Sequence, residues 1–520
     1  HVQAMHFNFV ELVGLAHHPY IGSWGYQVTG YYACHSLLGS PDDLKFLIDS
    51  LHAVGIGVLM DFVPTHFCKD ACGFSDFDGQ ATFEYEDPRE GEQKEWGTKI
   101  FNFKQNEVRS FLLGAALFWA RRYHVDGFRC DAVSCMIYRN FGRADGDWIP
   151  NEHGGDSNLE AVSLIRELNR QMNERHPGVI MIAEESTAWE GVTSLRDVSS
   201  GLGFDLKWDL GWMNDTLTYL SEPGWNRPSS HHKLTKRAAL WMQKERYVLP
   251  LSHDEVANKK GSLLDKMGRK DGACFYDKVR LLCTLYGLQV ASPGRPLIFM
   301  GCEIGQGGEW DCRRSVDWHE GQEPLRQQLC TWLSDLLGVY LHHGPLHRGD
   351  DNAHEMQYFG SFDGACGAPS FEWIEDSPGA CVLAFARHWK RDRPVLAVFN
   401  LGNTEHRSYS FCAPYHGEWE APATSPASGH TRAVARTAPT ASPSTCRRRA
   451  ASSCSVPRAS PSAGPPGVPL PGSRTLESWT PNIATMPLNL ASATRSWASD
   501  TVMPWGGGYT KDEDEDEDED

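Results

Sequence analysis

The stretch His124-Val-Asp-Gly-Phe-Arg-Cys-Asp131 is an apolar run that ends in a guanidinium and a carboxylate. Three other stretches repeat the pattern. Gly55-Ile-Gly-Val-Leu-Met60 leads into Asp61-Phe-Val-Pro-Thr-His66, Gly178-Val-Ile-Met-Ile182 into Ala183-Glu-Glu-Ser186, and Tyr247-Val-Leu-Pro-Leu251 into Ser252-His-Asp254. The apolar runs read as buried strands. Carboxylates at the carboxyl ends of several parallel strands converge on one face of a TIM barrel, which is how that fold builds an active site. One such segment means little; four in succession predict an α/β fold, a (β/α)8 barrel, with acid–base and nucleophilic chemistry on a neutral substrate.

Working outward, strand and helix patterns alternate from about residue 8 to 345. Ser40-Pro-Asp-Asp43 is a helix start, with Ser40 as N-cap and Pro41 at the first helical position. That helix runs through Leu44 to His52. Others are expected over Asn106 to Tyr123, Asn158 to Arg175 and Tyr276 to Leu288. Strands separated by helices imply parallel βαβ units. Seven barrel strands are expected: Phe7 to Leu12, Gly55 to Asp61, Val125 to Asp131, Val179 to Glu184, Gly203 to Trp208, Tyr247 to Ser252 and Leu297 to Gly301. A closed barrel needs eight, and the first strand is placed before His1, as if the chain were a fragment.

The expected domains are a barrel over 1–345, an incomplete β domain over 346–420, a low-complexity stretch over 421–510 and an acidic tail over 511–520. The β domain rests on Phe371-Glu-Trp373, Ala380 to Ala386 and Pro394 to Asn400, which read as antiparallel strands. After Glu420 the chain is rich in Ala, Pro, Ser, Thr and Arg and loses hydrophobic periodicity, which predicts disorder or an out-of-frame segment.

Formal net charge is −18, of which the tail Lys511 to Asp520 supplies −8. An acidic body disfavours nucleic acid and leaves a neutral polysaccharide open. The 15 cysteines are scattered and odd in number, which fits a reducing, cytoplasmic setting. Cys68 and Cys72 are close, but no second ligand pair follows, so no zinc site is expected. No run is long enough to span a bilayer. The chain is read as a monomer.

Arg129 and Asp131, two apart on one strand, share a side. A neighbouring guanidinium favours the ionised carboxylate that a nucleophile needs, although a buried ion pair with no chemistry explains the two residues equally well. Glu184 ends the next strand at a similar height and becomes a general acid if its surroundings raise its pKa. Two carboxyls about 5–5.5 Å apart define a retaining glycosidase mechanism. Glu185 faces the other way and suits a supporting role. His253 and Asp254 end a later strand and Asp61 and His66 an earlier one, as candidate sugar-binding groups. The spacings match no HExxH or DxDxDG pattern, so no catalytic metal is expected.

The ordered set His66, Arg129, Asp131, Glu184, His253, Asp254 resembles the signature regions of the α-amylase superfamily, and within it the 1,4-α-glucan branching enzymes. Longer blocks carry the closer resemblance: His18 to Tyr31, Trp148 to Gly155, Ala183 to Trp189, Gly201 to Asp215, Leu251 to Val256, Lys260 to Met267, and Phe299 to Gln306 with Glu309-Trp310. It covers about residues 8 to 415. It implies that Asp131 is the nucleophile, Glu184 the acid/base and Asp254 the transition-state stabiliser. Tyr26, Asp61, His66, Arg129 and His253 would then form the subsite at the cleaved bond. The implied reaction cuts an α-1,4 glucan and passes the chain to a 6-hydroxyl, with no cofactor. The chain departs from the family at Leu12 to Pro19 and Ala33 to Gly39. Measured against that resemblance, the family's amino-terminal β-sandwich and first barrel strand are expected to be missing and its carboxyl-terminal β domain to break off near Glu420. A related hydrolase, of the type acting on malto-oligosyl-trehalose, and an inactive glucan-binding fragment are the alternatives.

Overall fold

The computed structural model describes residues 1–194, 201–236, 245–351, 370–390, 392–406, 409–411 and 483–487. Its centre is a closed, all-parallel barrel of eight strands. They are β1 (Phe9–Val13), β2 (Gly57–Phe62), β3 (Gly127–Cys130), β4 (Ile180–Ala183), β5 (Leu206–Trp208), β6 (Tyr247–Leu251), β7 (Arg295–Phe299) and β8 (Ile483–Pro487). Each strand pairs with its neighbours in this order, and β1 with β2 and β8 closes the ring. The first seven fall where the apolar runs predict them.

Both faces of the barrel are buried, which is why its strands read as continuous apolar runs rather than alternating ones. Phe9, Leu59, Ile180, Ile182, Leu206, Trp208, Val248 and Leu297 fill the interior. Alternate residues such as Val58, Met60, Phe128 and Cys130 face outward onto helical side chains including Leu112, Trp119, Leu164 and Leu168. The expected helices form as α1 (Pro41–Ala53), α2 (Asn106–Tyr123), α3 (Leu159–Arg175) and α5 (Phe275–Ala291). Among the described residues two further long helices join them, α4 (Leu210–Ser221) and α6 (Pro324–His342). At α1 the Ser40 hydroxyl accepts from the Asp43 N–H while the Asp43 carboxylate accepts from the Ser40 N–H. This reciprocal cap is worth about 1 kcal/mol.

An excursion after β2 pairs His66–Phe67 with Thr98–Ile100, and that strand with Glu92–Gln93. Beyond α6, Phe371–Ser377, Val382–Arg387 and Val395–Asn400 form the antiparallel sheet expected of the second domain. Arg387 ties it to the barrel, donating to the Ala291 carbonyl at 2.7 Å and pairing with buried Asp350.

The eighth strand differs from the expectation. Its place, between β7 and β1, is occupied by Ile483–Pro487 rather than left for a segment before His1. These five residues lie in the stretch predicted to be structureless. Seven parallel strands leave two unpaired edges. A short extended segment between them satisfies backbone groups on both sides at once, so pairing outweighs a weak local preference. Pro487, without an N–H, is the last residue of the strand. The rest of 412–520 lies outside the described residues, as do the expected disorder and the acidic tail.

Candidate active site

Strand register sets the site. Asp61 on β2 stands opposite Arg129 on β3, and Cys130 opposite Ala183 on β4. The residues that follow those two, Asp131 and Glu184, therefore leave the sheet at one height. Asp61 and Arg129 point inward, above the apolar layers of the barrel.

The Arg129 guanidinium joins them. Its Nη1 lies 2.7 Å from Asp61 Oδ1 and 2.7 Å from Asp131 Oδ1, and its Nη2 lies 3.1 Å from Glu184 Oε2. The planar group is packed 4.5 Å from the Trp208 ring, which blocks its retreat. Tyr26 donates to Asp61 Oδ2 at 2.6 Å, sits 3.0 Å from His253 Nε2 and stacks on the His253 ring. His66 Nε2 is 3.7 Å from the second oxygen of Asp131, and His253 Nε2 is 3.4 Å from Asp254 Oδ1. All eight candidate residues thus belong to one connected polar network.

The two central carboxyls are set in opposite states. Burial alone would push both up. At Asp131 the Arg129 and His66 side chains outweigh it and hold the carboxyl below its usual value. At Glu184 burial prevails over Arg129, with Asp131 and Asp254 adding repulsion, and the carboxyl rises to about 7. The first is ionised and the second retains its proton in weakly acidic solution. Paired carboxyls driven apart in this way are able to divide acid/base and nucleophilic work between them.

Backbone geometry supports the placement. Ala132, directly after Asp131, takes a left-handed conformation (φ 52°), which costs on the order of 1 kcal/mol in a residue other than glycine. It aims the Ala132 N–H at Glu184 Oε2, 2.7 Å away. Thr65 donates to the Asp131 carbonyl at 2.9 Å. Tyr26 rides on a turn at Gly25 (φ 98°), where a Cβ would lie 2.3 Å from the Gly14 Cα. Only glycine fits there.

Glu185 is fully buried and turned away from the mouth. It accepts from Ser134, from the Thr187 N–H and hydroxyl, and from Lys207 on β5. Lys207 and Trp208 lie in the block Gly201 to Asp215, but the sequence reading gave them no role because each acts only through a neighbour on another strand. Trp24 and Trp310, 4.9 Å apart, wall the His253 side, and Trp96 lies 5.0 Å from His66. Trp24 and Trp310 lie inside quoted blocks that gave them no role, Trp96 lies outside every block, and none stands out in a chain with 18 tryptophans. Cys68 is buried and Cys72 exposed. Among the described residues no group of three His, Cys, Asp or Glu is arranged to hold a metal ion, and no helix is long and apolar enough to cross a membrane.

The catalytic-domain model of the alpha-amylase family matches residues 96–331. The 1,4-alpha-glucan branching enzyme GlgB of Corynebacterium diphtheriae is 43% identical over 424 residues, 81% of this chain and 55% of the relative. That of Myxococcus xanthus is 44% identical over 416 residues, 79% of this chain and 54% of the relative. That of Salinibacter ruber is 44% identical over 420 residues, 81% and 64% respectively. The chain therefore spans little more than half the length of the first two. Among solved structures, an alpha-amylase from Geobacillus thermoleovorans complexed with acarbose superposes with a TM-score of 0.56 at 15% identity. It covers 77% of this chain and 78% of that one, a likeness of fold.

Proposed function

Because this chain belongs to the α-amylase superfamily, we propose that it works as a 1,4-α-glucan branching enzyme on glycogen- or amylose-like chains. Asp131 attacks the anomeric carbon of the bound glucose while Glu184 protonates the departing glycosidic oxygen. The cut chain is held as an ester on Asp131. Glu184, now a carboxylate, takes the proton from a 6-hydroxyl of a second glucan, whose oxygen displaces Asp131 and forms the α-1,6 bond. Two displacements retain the anomeric configuration. Asp254 offsets the positive charge that develops at the sugar ring. Tyr26, Asp61, His66 and His253 hold the sugar at the cleavage point, and Arg129 keeps Asp131 ionised.

The observation that carries this reading is one guanidinium touching both Asp131, held below its usual value, and Glu184, pushed up to about 7, at the end of a parallel barrel. The similarity to branching enzymes over four-fifths of the chain favours transfer over hydrolysis. The cysteines among the described residues are free and scattered, which supports a cytoplasmic setting.

The test is incubation with amylose, following loss of iodine colour and then counting chains released by debranching. New α-1,6 chains are expected. New reducing ends without branches would make the protein a hydrolase. Asp131→Asn is expected to lower transfer roughly 10⁴-fold or more while glucan binding survives. Full activity in that variant would remove the nucleophile assignment.

A further inference from the structure

Strand β1, Phe9-Val-Glu-Leu-Val13, carries one ionisable side chain in an otherwise apolar run. Glu11 is 0% exposed, and neither of its carboxyl oxygens has a hydrogen-bond partner among the described residues. It stands opposite Leu59 on β2, two residues before Asp61. Side chains two apart share a face, so Glu11 points into the barrel one layer beneath Asp61. On its other side it stands opposite Thr485 of β8, and Ile483–Pro487 contains no ionisable residue. The charged groups that act on it are Asp61 from β2, Arg129 from β3, Glu184 after β4 and Asp254 after β6. Three of those four are acids.

A buried carboxyl with no donor among the described residues and with acidic neighbours is far more stable with its proton than without it. Arg129 is already shared among Asp61, Asp131 and Glu184 and makes no hydrogen bond to Glu11.

We propose that Glu11 is a positioning residue that works as a neutral carboxylic acid beneath the reacting carboxyls, and that its ionisation shuts the site down by adding a further negative charge under Asp61 and Arg129. The proposal rests on the assignment of Asp131 and Glu184 above. Burial, reinforced first by Asp61, pushes the Glu11 carboxyl up to about 8, so the shutdown belongs to the alkaline side.

The experiment is kcat/KM on amylose against pH for the full chain, its Glu11→Gln variant and its Glu11→Ala variant. Two groups must then hold protons in the active wild-type enzyme, Glu184 and Glu11. Log kcat/KM should fall with a slope near −1 between about pH 7 and 8 and near −2 above about pH 8. In Glu11→Gln, which is permanently neutral, the slope should stay near −1. Glu11→Ala removes the carboxyl and leaves a cavity, so its slope should also stay near −1 while its urea midpoint falls below that of wild type. A wild-type slope of −1 throughout, a Gln variant with the wild-type slope, or a folded Gln variant inactive at pH 6 would each overturn the proposal.

A second measurement separates Glu11 from the functional reading. The folded-state pKa lies above the unfolded one, so the stabilisation is present below about pH 4.5 and lost as pH rises through about 8. Urea unfolding of wild type should therefore weaken relative to Glu11→Gln across that window, even if the chain makes no branches. An unchanged difference between the two across the window would also overturn the proposal.

Discussion

At the scale of single residues, the site is a problem of sharing one positive charge. Arg129 is the only guanidinium in the eight-residue network, and it faces Asp61, Asp131 and Glu184. Because Asp131 is held below its usual value and Glu184 is raised to about 7, kcat/KM should follow a bell. On the proposed roles, activity requires the proton on Glu184, so it falls as pH rises through about 7. It requires ionised Asp131, so the acid limb lies below the ordinary carboxylate value. A plateau over mildly acidic pH in a pH–rate profile checks both limbs. Arg129→Lys keeps the charge but cannot span Asp131 and Glu184 with a planar fork. It should lower kcat about 10²-fold with KM little changed, measured at the optimum on a variant that retains its near-ultraviolet circular dichroism.

At the scale of elements, strand ends decide what faces the substrate. Glu184 and Glu185 are adjacent in sequence, yet β4 ends between two environments. One carboxyl turns to the mouth, and the other is locked behind it by Ser134, Thr187 and Lys207. Lys207→Met leaves the Glu185 charge buried without its cation and should cost about 3–5 kcal/mol, read as a lower urea midpoint. Adding Glu185→Gln should restore part of that stability, since a buried pair is often replaceable by neutral groups of similar size. The α1 cap was legible for a local reason: Ser40, Pro41 and Asp43 act on each other within a single turn. The Trp96 contact to His66 was not, because a strand pairing more than 30 residues apart in sequence creates it.

At the scale of the whole molecule, closure is the deciding event. Strand β8 bonds to both β1 and β7, with Ala484 opposite Val10 on one side and Ile298 on the other. Ala484→Pro removes a backbone donor from a strand paired on both sides. It should destabilise the barrel by about 3 kcal/mol, seen as a lower thermal midpoint. Loss of branching activity should follow only at temperatures near that midpoint. An equal midpoint would mean that the segment contributes nothing to closure.

The sequence by itself determined seven of the eight barrel strands, the order of the carboxylates along them and the family. Each of those signals is local: an apolar run five or six residues long, ended by a charge, is written in consecutive positions. What only the tertiary structure decided is how charge is distributed among those ends, and what fills the eighth place. Burial and the sharing of Arg129 separate Asp131 from Glu184, which composition cannot distinguish. The Glu11 carboxyl becomes exceptional only once the barrel closes over it. A five-residue segment becomes a strand only when two unpaired edges stand on either side of it. These are sums over neighbours distant in sequence, and they exist only in the folded chain.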